Sequence, residues 1–239
     1  MEAESLVSIA DLDGGQVWQL IKRAAAMKKG ATPKTLSGKT LALLFEKPSL
    51  RTRVSFDVAM NQLGGHCLYL SPQEVGLGKR EPVSDVARVL SRYVDGIVAR
   101  TFSQQTMASL AEHATVPVIN GLSDAEHPCQ ALSDLLTIDE KMGGLEGVAL
   151  AYVGDGNNVA HSLLLAASST GMNFRIASPS QHRVREDVLQ QARELASISD
   201  GEIMSTEDPA VAASEASVIY TDVWVSMGQD DEAEQKLKA

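Results

Sequence analysis

Aromatic residues make up only 4% of this 239-residue chain, so its interior has to be assembled from aliphatic side chains. With 44% of residues hydrophobic there is enough apolar material for a large core. Cysteine is nearly absent. Cys67 and Cys129 are the two, and they have neither the spacing of a metal site nor the density of a disulfide framework, which suits a reducing compartment. No apolar run approaches the ~18 residues of a membrane span, and the opening 1–5 lacks both the basic and apolar regions of a secretory signal and an Arg-rich transit character. A soluble, cytoplasmic protein is expected. Basic residues are outnumbered, 21 Lys and Arg against 31 Asp and Glu, for a formal net charge of −10. That surplus of carboxylates argues against nucleic acid or an anionic membrane as partner, because both select clustered Lys and Arg. An anionic ligand would have to be held by a local concentration of positive charge.

At ~100 to 200 residues per domain, the length accommodates two. Val17, Leu20, Ile21 and Ala24 recur at helical spacing, and 32–38 reads as a loop. Short apolar runs then alternate with helical stripes. Strands are expected at 40–45, 66–70, 96–99 and 116–119; helices are marked by Phe56, Ala59, Met60 and Leu63, by Val86, Val89, Leu90 and Tyr93, and by Leu132, Leu135 and Leu136. Gly143, Gly144 and Gly147 form the expected hinge. Beyond it the rhythm restarts, with strands at 148–153, 174–177, 203–205 and 218–221 and helices at 159–169 and 183–196. This pattern predicts an α/β protein of two domains, 1–143 and 144–239, each a parallel sheet flanked by helices, the second Rossmann-like and incomplete.

The segment Glu46-Lys47-Pro48-Ser49-Leu50-Arg51-Thr52-Arg53 puts two hydroxyls and two guanidinium groups where a strand turns into a helix. Backbone N–H groups, the positive helix end and Arg forks then converge as in a phosphate socket. Standing alone, the same residues also read as a helix start capped by Ser49 with two solvated arginines. Ligands of open parallel sheets gather outside the carboxyl ends of the strands. Ser49–Arg53 follows the first strand, Arg100 closes the third and His127 follows the fourth, so all three groups are expected on one sheet edge. Singly, Arg100 reads equally well as a surface ion pair and His127 as the residue leading a helix. In Gly154-Asp155-Gly156-Asn157-Asn158 the first two glycines fit a dinucleotide fingerprint, but Val159 takes the third position and no acidic residue ends the next strand.

These segments, with Val98–Phe102, His127–Gln130 and Asp222–Gly228, follow in an order and spacing that resembles the aspartate/ornithine carbamoyltransferase family, its ornithine-using branch in particular, from about Leu6 to Gln229. The resemblance implies that the first domain binds carbamoyl phosphate. Ser49, Arg51 and Thr52, with turn N–H groups including that of Leu50, match the phosphate ligands; Arg100, His127 and Thr52 match those polarising the carbonyl oxygen, and Gln130 matches the ligand of the carbamoyl amine. Arg51, Arg100 and His127 are the implied catalytic residues. In the second domain Asn158, Asp222, Ser226 and Met227 match ligands of L-ornithine. No cofactor, metal or covalent nucleophile is implied, and the family assembles as a homotrimer with sites at subunit boundaries.

Transfer to the acceptor amine would give L-citrulline and phosphate. Because such an amine has a solution pKa near ~10.4, activity is expected to rise between pH 6 and 8. Two departures stand out: Leu50 replaces the usual Thr, removing one hydroxyl, and Gly76 replaces a Gln in a loop that reaches the neighbouring subunit, where Lys79 or Arg80 could substitute. Relatives also carry a His-Cys-Leu-Pro segment, a later Arg and a terminal helix that this sequence does not contain, so the 239 residues alone are expected to bind carbamoyl phosphate weakly and form little citrulline. Aspartate as acceptor would want arginines where Asp222 stands. Arg175, Arg183, Arg185 and Arg193 fall on a strand or helix instead. Putrescine or an acetylated ornithine as acceptor, a nucleotide-binding oxidoreductase and a non-catalytic relative are the competing expectations.

Overall fold

A computed structural model describes residues 5–78 and 80–224. The chain forms two compact units, one made of the residues up to Leu12 with Lys22–Cys129, the other of Asp13–Ile21 with the residues from Gln130 onward. Helix α1 (Gly14–Lys28) therefore contributes to both.

In the first unit β1 (Thr40–Phe45), β2 (His66–Leu70), β3 (Gly96–Arg100) and β4 (Val118–Leu122) form a parallel sheet in the order β2-β1-β3-β4. Every residue of β3, and Leu41 to Phe45 in β1, is buried, which is why these central strands are continuous apolar runs. The crossovers are α2 (Leu50–Gln62), then α3 (Pro72–Val75) with α4 (Val83–Leu90), then α5 (Gln104–His113). The chain runs from β1 outward to β2, then returns to the other side of β1 for β3. The strand order thus reverses between β1 and β3, and a crevice opens there outside their carboxyl ends. Register brings Phe45 level with Arg100, and Arg100 level with Leu122 across a bulge at Ala99 and Arg100.

The segment Ser5–Leu12 lies along β4. Leu6 N–H donates to Val118 O (2.8 Å) and Leu6 O accepts from Asn120 N–H (2.8 Å). The buried carboxylate of Glu126 then accepts from Ile9 N–H (3.0 Å) and from Ser8 Oγ, tying this segment to the loop that carries His127.

Helix α6 (Pro128–Met142) leads into the second unit, where β5 (Ala149–Val153), α7 (Asn158–Ser169), β6 (Asn173–Ala177), α8 (Glu186–Ser199), β7 (Ile203–Thr206), α9 (Pro209–Ala213) and β8 (Val218–Tyr220) follow. Their sheet is again parallel, in the order β7-β6-β5-β8, and its reversal falls between β5 and β8. All of α7 from Val159 to Ser169 is buried, and its small residues allow close packing on every side.

The α/β architecture with two helix-flanked parallel sheets is the one expected. Three local expectations differ. In α4 the buried residues are Val86 and Ala87, whereas Val89 and Tyr93 are exposed, so the inward stripe is Val83, Val86, Ala87 and Leu90. Helix α5 carries its inward face on only Met107 and Leu110, too sparse a stripe to stand out in the sequence. Helix α2 begins at Leu50 with Ser49 as its cap, so Leu50–Arg53 forms its first turn, ahead of the Phe56 to Leu63 stripe that marks the helix in the sequence.

Candidate active site

At the carboxyl edge of the first sheet, Ser49 caps α2. Its hydroxyl accepts from Thr52 N–H (3.4 Å) and donates to Thr52 Oγ1 (2.9 Å). The first N–H groups of α2 have no intrahelical acceptor, and with the positive helix end they form an anion-binding terminus. Thr52 lies beside Gly121 of β4, where a Cβ would stand in ordinary contact, 3.6 Å, with the Thr52 methyl group but would crowd Ala99 O (3.1 Å) and Val98 (3.2 Å) on β3.

Arg100 ends β3, is only 6% exposed, and holds its buried Nε without a hydrogen-bond partner among the described residues. A guanidinium kept in that condition is a donor set aside for a ligand. Burial first, and then the nearby Arg51 charge, lower its pKa. Lys47, a residue that attracted no attention in the sequence, belongs to the same group. Its Nζ lies 4.5 Å from the centre of the Phe102 ring, and its pKa is lowered by burial and then by Arg100, against opposing effects of Asp124 and Glu46. Lys47, Arg51 and Arg100 therefore share one positive field. Glu46 steadies the Arg100 turn, accepting from Phe102 N–H (2.9 Å) while its own N–H donates to Arg100 O (2.8 Å).

The second guanidinium of the motif does something else. Arg53 stacks 3.8 Å from the centre of the Tyr69 ring, so Arg51 alone of the pair joins the cluster. Leu50 is 79% exposed. His127 lies directly after the Ser123–Glu126 loop, itself closed by Ser123 N–H donating to Glu126 O (2.9 Å), on the same sheet edge. Burial raises the Cys129 and Cys67 thiols to about 11, which removes both as nucleophiles at neutral pH.

The carboxyl edge of the second sheet is acidic. Asp222 follows β8, and its Oδ2 accepts from Asn157 Nδ2 (3.2 Å). Tyr152 on β5 donates to Asn157 Oδ1 (3.4 Å) and stacks on Tyr220 with ring centroids 5.7 Å apart. Tyr220 in turn donates to Asp134 Oδ2 (3.0 Å), while Gln130 Nε2 donates to Asp134 Oδ1 (2.9 Å). Burial raises the Asp134 pKa, the Gln130 and Tyr220 donors oppose that rise, and Asp222 adds to it. Tyr152 is also raised, by burial and then by Asp222 and Asp155. Three carboxylates thus bear on one crevice, a field suited to an ammonium group.

Of the residues anticipated for an amino-acid ligand, Asn158 is the first residue of α7 and Asp222 lies across the strand-order reversal from the β5 end. Ser226 and Met227 lie outside the described residues, as does Lys79; Arg80 is exposed, with its Nη1 donating to Glu74 O (3.4 Å). Gly76 closes α3 in left-handed backbone at φ 55°. Asn157 was passed over in favour of its neighbour. Its position just before an apolar helix is the signal that could have marked it as a cap. The nucleotide alternative loses ground here. Gly156 is required by packing, since a Cβ would stand 2.3 Å from Val184 N, and the position where a ribose-binding carboxylate is sought holds Ser178, which donates to Gly154 O (2.6 Å).

Residues 4–140 match the family described as the aspartate/ornithine carbamoyltransferase carbamoyl-P binding domain, and residues 146–239 match its Asp/Orn binding domain. The chain belongs to the aspartate/ornithine carbamoyltransferase family. Among curated members, the ornithine carbamoyltransferase of Anoxybacillus flavithermus is 48% identical over 241 residues, covering 99% of this chain and 77% of that protein. The anabolic ornithine carbamoyltransferase of Pyrococcus furiosus is 48% identical over 242 residues, covering 100% of this chain and 77% of its own length. The solved Pyrococcus furiosus ornithine carbamoyltransferase superposes with a TM-score of 0.94 over 99% of this chain and 77% of that one. In this family member, therefore, the cationic edge lies in the stretch matching the carbamoyl-phosphate domain, and Asp155 and Asp222 of the acidic edge lie in the stretch matching the amino-acid domain, while Asp134 comes from the end of the former.

Proposed function

We propose that the protein transfers the carbamoyl group of carbamoyl phosphate to the δ-amine of L-ornithine, giving L-citrulline and phosphate as a step of arginine biosynthesis. The observation that carries this is the pairing of opposite fields: Lys47, Arg51 and Arg100 at one strand-order reversal, and Asp134, Asp155 and Asp222 around the other. The 1–143 half would hold the donor, and the 144–239 half, joined by Asp134 from α6, the acceptor. Ser49, Arg51, Thr52 and the N–H groups of the α2 terminus, Leu50 included, take the phosphate. Arg100, His127 and Thr52 aim donors at the carbonyl oxygen, and Gln130 meets the carbamoyl amine. Asn158, Asp222, Ser226 and Met227 hold ornithine.

The chemistry follows from these charges. A neutral δ-amine attacks the carbonyl carbon, negative charge builds on the carbonyl oxygen, and the intermediate collapses by expelling phosphate onto the cations already holding it. Donors fixed in advance at that oxygen are each worth ~3 to 4 kcal/mol of barrier. Orientation of the two substrates contributes ~7 to 11 kcal/mol more.

Aspartate is the poorer acceptor on specific grounds. Arg175 donates to Ser214 O, Arg183 pairs with Glu207, Arg185 with Asp187 and Arg193 with Glu186, so each of these four arginines already has a partner. An acidic crevice would repel a second carboxylate. Self-association into a homotrimer is supported by Leu50, Val54 and Val58, which leave an exposed apolar stripe along α2 beside Arg51. No helix among the described residues is long and apolar enough to cross a membrane, and we place the enzyme in the cytoplasm.

Binding is testable apart from turnover. Calorimetry should show phosphate binding that is lost in Arg100→Met and ornithine binding that is lost in Asp222→Asn, and citrulline should form from the two substrates together. Tighter binding of aspartate than of ornithine would refute the assignment.

A further inference from the structure

The Asn157 side chain makes four hydrogen bonds among the described residues, and their donor and acceptor roles leave its amide one orientation. Val159 N–H (3.0 Å) and Ala160 N–H (3.1 Å), in the first turn of α7, both donate to Asn157 Oδ1, and the Tyr152 hydroxyl (3.4 Å) donates to the same oxygen. Three donors can be met only by the carbonyl side of the amide, because the NH2 side has no acceptor to offer them. The NH2 must therefore face away from the helix, where Nδ2 donates to Asp222 Oδ2 at 3.2 Å. One oxygen of Asp222 is thereby fixed against Asn157.

We infer that Asn157 is the positioning residue of the acceptor site: it uses the amino-terminal cap of α7 as an anchor from which to hold Asp222 in the orientation that receives the ammonium group of the amino-acid substrate. This rests on the acceptor site proposed above and adds a residue to it. The arrangement joins two ends of strands that are not consecutive in the chain. Asn157 follows β5 and Asp222 follows β8, neighbours in the sheet at its strand-order reversal. Substrate itself need not touch Asn157.

Capping and positioning can be separated by chemistry. Asp caps a helix as well as Asn does, because both present a side-chain oxygen to the free N–H groups. Asn157→Asp therefore keeps the cap but replaces the NH2 by a carboxylate oxygen facing the carboxylate of Asp222, which is driven off. Asn157→Ser keeps a cap but does not reach Asp222, leaving it unheld without repelling it.

The experiment is calorimetric titration of ornithine, and separately of inorganic phosphate, into the unsubstituted protein, Asn157→Asp, Asn157→Ser and Asp222→Asn, with thermal unfolding of each. The expected result is ornithine affinity reduced roughly tenfold or more in Asn157→Asp and by a smaller factor in Asn157→Ser. Phosphate affinity should be unchanged, and the unfolding temperature should stay within a few degrees. A capping role alone predicts no loss in Asn157→Asp. Unaltered ornithine affinity in that variant, with affinity lost in Asp222→Asn, overturns the inference and leaves the acceptor site standing. Unaltered affinity in Asp222→Asn, or no ornithine binding by the unsubstituted protein, brings down the acceptor site and the inference together. Equal weakening of phosphate and ornithine in both Asn157 variants overturns the inference in favour of general disruption.

Discussion

Replacing Arg100 with Met should make the ligand-free protein more stable and its donor site useless. Arg100 is 6% exposed, its Nε makes no hydrogen bond among the described residues, and burial and then the like charge of Arg51 disfavour its charged form. Replacing buried charged groups by packed apolar side chains of similar volume is often neutral or stabilising by about 1 to 4 kcal/mol, and a charge without a counter-ion belongs at the stabilising end. In a chain of this size each kcal/mol corresponds to ~2 to 4 °C in the unfolding temperature. Phosphate acts in the opposite direction. At ten times its dissociation constant an anion bound only to the folded state adds about 1.4 kcal/mol, and that gain belongs to the unsubstituted protein alone. Thermal unfolding followed by dye fluorescence, with and without phosphate, should show the variant melting higher in plain buffer and failing to respond to the anion. Citrulline formation in the same variant should fall by ~10²- to 10³-fold in kcat, the usual cost of removing one oxyanion donor. A variant that melts lower in the absence of phosphate, or responds to phosphate as the unsubstituted protein does, refutes the account of Arg100 as a strained donor held ready for an anion.

Gly156→Ala should lower the unfolding temperature through a loss of about 1 to 3 kcal/mol, because the new Cβ would stand 2.3 Å from Val184 N and 2.4 Å from Arg183 C, backbone atoms that cannot step aside cheaply; an unchanged melt would show that the 182–184 loop is free to move. Tyr152 and Tyr220 both have their ionisation pushed well above the ordinary tyrosine value, chiefly by burial. An acid whose folded pKa is raised keeps its proton after the unfolded chain has lost it, so stability should fall as pH rises above ~10. Absorbance at 295 nm should show these two phenols ionising only with unfolding, and full reversible ionisation of all four tyrosines in the folded state by pH 11 would contradict their burial.

Much of the fold was legible because buried parallel strands cannot hide. Thr40–Phe45 was bounded correctly, since a strand covered on both faces reads as an unbroken apolar run ending at a polar turn, and the partly exposed edge strand His66–Leu70 was bounded by the glycine pair before it. Helix faces were less secure. Val89 and Tyr93 are apolar but face outward on α4, and hydrophobicity alone does not say which side of a short helix meets the sheet. At the site, the placement of Ser49, Arg51, Thr52, Arg100 and His127 on one edge could be anticipated from strand order in the chain. What could not be anticipated is which cation turns inward. Lys47 and Arg53 flank the same motif, yet one enters the positive cluster and the other stacks on Tyr69, a choice made by partners on distant strands. The Asn157–Asp222 pair was hidden for a similar reason, being separated by 65 positions in sequence.

Glu126, the residue before His127, connects Ser8 and Ile9 to the proposed donor site: its carboxylate accepts from the Ser8 hydroxyl and the Ile9 N–H. An affinity handle fused at the amino terminus, or a trimming of the gene that removes Ser8, would therefore tug at or release the tether behind that histidine. Purification handles for this enzyme should accordingly be kept away from that end, and a preparation with a ragged amino terminus should be suspected of mixed activity before any deeper cause is sought.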